Sequence, residues 1–60
     1  MSTKTIYVAC NGFWCSEFEY RKHHAEDFPE AKPFIVIEQP DFDQDQIACT
    51  VFAQSVAQHL

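Results

Sequence analysis

The side chains best suited to ligate zinc or to act as nucleophiles are Cys10, Cys15 and Cys49 with His23, His24 and His59. Cys10-x4-Cys15 followed by His23-His24 lies at the upper limit of zinc-site spacing, and a hairpin between the two cysteines would bring their thiolates close. A closed structural zinc site needs four ligands. Adjacent histidines on an extended chain point to opposite sides, so one of them joins easily and Cys49 or His59 must complete the set. The plainer reading treats the cysteines as small core hydrophobes and the histidines as solvated connection residues, with no metal bound. A cysteine nucleophile would need a base, an orienting group and an enclosing pocket of about a few hundred Å3, which so short a chain can scarcely supply. No catalytic residue and no cofactor are therefore assigned. Asp41-x-Asp43-x-Asp45 copies the first acidic positions of an EF-hand loop, but the required glycine position holds Gln46 and the bidentate glutamate position holds Phe52. Helix capping accounts for these acids without calcium.

The elements that must carry these groups are bounded by size. Sixty residues form a single domain with a marginal core. The chain is 47% apolar and 15% aromatic, too apolar for a chain disordered by composition. An odd number of cysteines is unlike the dense disulfide frameworks of small secreted domains and points to a reducing compartment. The longest apolar runs, 6–10 and 34–37, are too short for a membrane span or a signal h-region. A soluble, cytoplasmic protein is expected. With no staple to offset ordering entropy, a homodimer is one route to stability.

Residues 3–20 are rich in β-branched and aromatic types and are broken once by Asn11-Gly12, a strong hairpin signal. A two-residue turn sets Cys10 opposite Phe13 and Val8 opposite Cys15; a loop of residues 11–14 sets Cys10 opposite Cys15. In both, Ile6, Val8, Cys10 and Cys15 share one face, ahead of Glu17 and Glu19, and Tyr7, Ala9, Phe18 and Tyr20 share the other. Residues 21–33, with Pro29 and Pro33, read as a connection with room for a helical turn near 25–28. Residues 34–38 read as a short strand, without polar alternation and so covered on both sides. Asp43 as N-cap with Gln46 three residues on, and Phe42 with Ile47 as hydrophobic staple, predict a helix over residues 44–59. Its apolar arc runs through Ile47, Ala48, Val51, Phe52, Val56 and Leu60, with Val51, Phe52 and Val56 packed on the sheet. The expected fold class is α+β: a three-stranded, mainly antiparallel sheet built from the N-terminal hairpin and strand 34–38, with one C-terminal helix on one face.

Charge is more informative than any motif. The net charge is −5, and residues 33–60 contribute Glu38, Asp41, Asp43 and Asp45 with no Lys or Arg. Such a surface repels nucleic acid and suits a basic protein groove. Phe13 and Trp14 beside the turn glycine either fold back over the sheet or serve as anchors for a partner. By its size, acidity, lack of catalytic apparatus and α+β core with aromatics at its surface, the chain resembles the small acidic inhibitors that phages encode against bacterial defence, the anti-CRISPR proteins above all. That resemblance implies stoichiometric binding to a CRISPR effector subunit, at the surface meant for DNA or for a recruited nuclease, in the host cytoplasm. The expected function is a non-enzymatic inhibitor acting as a DNA mimic on a basic, nucleic-acid-handling protein. Its contact residues would be Phe13, Trp14, Glu38, Asp41 and Asp45, with no direct contact to nucleic acid or membrane. The alternatives are a zinc module using Cys10, Cys15 and a histidine, or a homodimeric structural protein.

Overall fold

A computed structural model describes residues 2–60. Three strands, β1 (Thr3–Val8), β2 (Trp14–Ser16) and β3 (Lys32–Ile37), form one antiparallel sheet in the order β2-β1-β3. A short helix α1 (Glu17–Glu19) continues into a π-helical turn over Tyr20–His24, and α2 (Phe42–Ala57) closes the fold. The α+β class and the three-stranded antiparallel sheet with a C-terminal helix agree with the sequence. The central strand is the first one, so both hairpin partner and return strand depend on it.

The hairpin register differs from both expected alternatives. Val8 lies opposite Trp14, Tyr7 opposite Cys15 and Ile6 opposite Ser16. Gly12 N–H donates to the Ala9 carbonyl at 3.0 Å and Ala9 N–H to the Phe13 carbonyl at 2.8 Å, which leaves a three-residue loop, Cys10-Asn11-Gly12. A two-residue type I′ turn needs positive φ at both Asn11 and Gly12; only Gly12, at φ 92°, has it. The glycine instead closes a type I turn with a G1 bulge, and the Asn11 carboxamide accepts from Phe13 N–H at 3.0 Å. One extra loop residue relative to the tight turn slips β2 by one position and turns each of its side chains to the other face. Trp14 therefore joins Ile6 and Val8, and Cys15 joins Tyr7.

The second strand also stops at Ser16 rather than running to Tyr20. Ser16 caps a helix, its hydroxyl accepting from Glu19 N–H at 3.3 Å, and Ser16-Glu17-Phe18-Glu19 has the form of a capping box. Arg21 pairs with Glu17 one turn back. The following π-helical turn holds Tyr20 against the sheet: its ring stacks on Tyr7 at 4.0 Å, and its hydroxyl donates to the Phe28 carbonyl at 2.7 Å. The first helical turn after the hairpin thus comes earlier than the one expected near 25–28.

β3 runs Lys32–Ile37 and includes Pro33, which an edge strand tolerates when its missing N–H faces outward. It alternates, contrary to the expectation of cover on both sides. Phe34 and Val36 turn toward α2, whereas Ile35 is 75% and Ile37 52% exposed.

α2 is capped by Asp41, not Asp43: the Asp41 carboxylate accepts from Asp43 N–H at 2.8 Å and Gln44 N–H at 3.3 Å. The expected staple is absent, since Phe42 and Ile47 are both largely exposed. The helix buries Asp45, Cys49 and Ala53, one residue per turn, flanked by Phe52 and Val56. Small Cys49 and Ala53 let the helix backbone approach Ile6 and Val8 of β1, and Phe52 packs edge-on against Phe34 at 5.6 Å. Val51, expected on the sheet, is 60% exposed on the outer side with Ile47.

These positions predict opposite outcomes for two isoleucines. Ile6→Ala removes a fully buried side chain and should cost about 2–5 kcal/mol in denaturant unfolding. Ile47→Ala should change stability by less than about 0.5 kcal/mol; a large loss would restore the helix orientation read from hydropathy alone.

Candidate functional site

The acids of the second half do not form one equivalent group. Asp45 lies in the first turns of α2 but turns inward, where its carboxylate pairs with Lys4 Nζ from β1 and accepts Gln39 N–H at 2.9 Å. These two hydrogen bonds hold the Asp45 carboxyl below the usual carboxylate range, and the bond to Asp45 raises the Lys4 ammonium above its ordinary value. Named as a contact residue from sequence, Asp45 is thus occupied within the fold, where its charge is neutralised.

Glu38, Asp41 and Asp43 remain exposed around the β3–α2 junction. Asp41 and Asp43 sit where the helix dipole favours negative charge, and Phe42 between them is 74% exposed. Glu38 follows Ile37 at the end of β3. Beside this acidic rim a shallow groove of about 300 Å3 runs between β3 and α2, lined by Ile35, Val36, Ile37, Ala48, Cys49 and Phe52. Exposed acids therefore border exposed apolar side chains. Sequence reasoning passed over Ile35, Ile37 and Phe42, although strict alternation in β3 would have exposed the first two.

Phe13 and Trp14 are folded back rather than presented at a free hairpin tip. Phe13 stacks on Phe28 at 4.6 Å and meets the edge of His24 at 5.2 Å. Trp14 packs on the core, donates from Nε1 to the Thr50 hydroxyl at 3.1 Å, and lies under the Lys4 ammonium at 5.8 Å. Tyr7 and Tyr20 are consumed by their stack.

The cysteine and histidine set is dispersed. Cys10 is exposed in the hairpin loop, and Cys15 and Cys49 are buried free thiols. Burial pushes both buried thiols up, with Glu19 adding to the effect at Cys15. Among the described residues no three His, Cys, Asp or Glu side chains converge as a metal site. No helix among them is long and apolar enough to cross a membrane.

Comparison of the chain with protein-family models, curated proteins and solved structures gives no match. Its functional reading rests on this geometry.

The Lys4–Asp45 pair sets a pH dependence. Asp45 has a depressed folded pKa, so its contribution is present above its unfolded value of about 3.9 and is lost as pH falls through the lower folded value. Lys4 has a raised folded pKa, so its contribution is present below about 10.4 and is lost as pH rises through the higher folded value. Asp45→Asn should lower the melting temperature at pH 7 by several degrees and flatten the acid limb of the stability profile below about pH 4. A wild-type acid limb in the variant would separate Asp45 from acid stability.

Proposed function

We propose that the chain is a non-enzymatic acidic binding protein that occupies a basic, nucleic-acid-handling surface of a protein partner, in the manner of anti-CRISPR proteins acting on a CRISPR effector subunit. The observation that carries this reading is the junction of β3 and α2. There Glu38, Asp41 and Asp43 are exposed, and Phe42 and Ile37 stand exposed among them. Acids steer encounter with a basic groove, and apolar side chains desolvated on contact supply lasting affinity. In this reading Phe42 and Ile37, both exposed, supply the anchors in place of Phe13 and Trp14, and Glu38, Asp41 and Asp43 supply the charge.

The burial of Asp45 and the capping role of Asp41 decide which variants test the reading cleanly. Asn caps a helix about as well as Asp, so Asp41→Asn with Asp43→Asn removes charge while keeping the N-terminus of α2. Against a panel of purified CRISPR effector complexes, the wild-type chain should block target-DNA binding. At low ionic strength the double variant should associate at least about threefold more slowly, and the gap should close as salt shortens the Debye length toward about 8 Å. Phe42→Ala should mainly raise the dissociation rate. Effectors that all bind DNA normally in the presence of excess chain would overturn the anti-CRISPR reading. A complex whose formation ignores both salt and the two Asn substitutions would overturn electrostatic groove occupation.

A further inference from the structure

We propose that β3 is the contact strand of a symmetric dimer, pairing antiparallel with β3 of a second copy of this chain so that Ile35 lies opposite its own counterpart. The two three-stranded sheets would join into one of six strands.

The hydrogen-bonding phase of β3 leaves its outer edge open to a further strand. Glu38 N–H donates to the Ser2 carbonyl at 2.9 Å, extending the β1–β3 ladder in the same register. Antiparallel residues alternate between pairs that exchange hydrogen bonds and pairs that do not. Lys32, Phe34 and Val36 therefore bond to β1, while the backbone groups of Pro33, Ile35 and Ile37 point away from it. Pro33 falls in the outward set, so its missing N–H costs the sheet nothing. The outward N–H and C=O groups of Ile35 and Ile37 are those a further strand would use.

Charge fixes the occupant and the register. When Ile35 faces Ile35, Lys32 of one copy faces Glu38 of the other, twice by symmetry. Neither Lys32 nor Glu38 forms an ion pair among the described residues. Sliding the partner by two residues in either direction sets Lys32 against Pro40 or Val36 and loses both pairs. In the Ile35-centred register, each Ile35 exchanges hydrogen bonds with its counterpart, and each Ile37 N–H reaches the other copy's Pro33 carbonyl. Ile35 and Ile37, both exposed in one copy, gain apolar neighbours across the axis. Phe34 faces Val36 on the side of the groove beneath α2. Edge strands that must stay solitary carry a central charge, a bulge or a proline; β3 has Pro33 near one end, which leaves each Ile37 carbonyl without a partner N–H in this register, but it has no central charge or bulge and its end charges pair.

Sedimentation velocity on the full chain, from micromolar to submillimolar concentration at fixed salt, tests this directly. The wild type should sediment as a dimer in the upper part of that range. Ile35→Lys sets two ammonium groups against each other at the axis and should give a monomer with an unchanged Trp14 near-ultraviolet signal, since Ile35 does not support the core. Lys32→Glu and Glu38→Lys each turn two attractions into repulsions and should each weaken the dimer about tenfold or more. The chain carrying both reversals should return to within about threefold of the wild-type dissociation constant. A folded wild type that stays monomeric throughout would overturn the proposal and leave the edge to a strand of another protein. A dimer that survives Ile35→Lys, or charge reversals that fail to rescue each other, would also overturn it. Ile35 and Lys32 lie outside the residues assigned to partner binding, so Ile35→Lys and Lys32→Glu separate failure of the dimer from failure of partner binding, whereas Glu38→Lys bears on both.

Discussion

Lys4 on the central strand meets Asp45 on α2, and the same carboxylate takes the N–H of Gln39 from the segment that leaves β3. One side chain thereby ties together the middle of the sheet, the β3–α2 connection and the helix. Asp45, Cys49 and Ala53 form a single stripe of α2, so anchoring Asp45 also sets the rotation of the helix about its axis. Cys49 and Ala53 are carried over β1, and Ile47 and Val51 are carried to the outside. Breaking one member of such a pair leaves an uncompensated charge at the helix–sheet boundary, which costs more than the pair itself contributes.

The candidate binding surface follows from that rotation. If the helix turned its richest hydropathic arc to the sheet, Ile47 and Val51 would be covered and the acids would be arranged differently. As it stands, the inward carboxylate is neutralised by Lys4, while Glu38, Asp41 and Asp43 stay at the surface with Phe42. The charge that sequence counting assigns to the second half of the chain is thus divided between the interior and the rim.

Much of the fold was legible because it depends on local signals: aromatic and β-branched residues around Asn11-Gly12, an apolar run before Pro40, and a periodic stretch after three aspartates. Most of the differences concern phase. Asn11-Gly12 suits a two-residue turn and a G1 loop equally, and only the φ of Asn11 separates them, yet that one-residue choice decides whether Trp14 or Cys15 faces α2. Three aspartates at alternate positions can each cap a helix; a lysine some forty residues earlier occupies Asp45, and Asp41 takes the cap. The site was less legible than the fold because exposure depends on these phases. Trp14 has the composition of an anchor and the position of a core residue, whereas Phe42 is the reverse. Ser16-Glu17-Phe18-Glu19 was a readable helix start masked by the strand-forming composition around it.

The placement of β1 between its two partners also governs the order in which structure can assemble. Its pairing with β2 closes a loop of a few residues, whereas its pairing with β3 must wait for the whole segment from Ala9 to Ala31 to be gathered in. Loop-closure entropy grows by about 0.6 kcal/mol for each doubling of length, and ladders that join distant segments slow folding. The hairpin is therefore the natural early structure, and β1 carries an open edge until β3 arrives. In that interval Ile6 and Val8 also lack the cover that α2 brings in behind β3, so the speed with which residues 32–57 return determines how long the chain is exposed to aggregation.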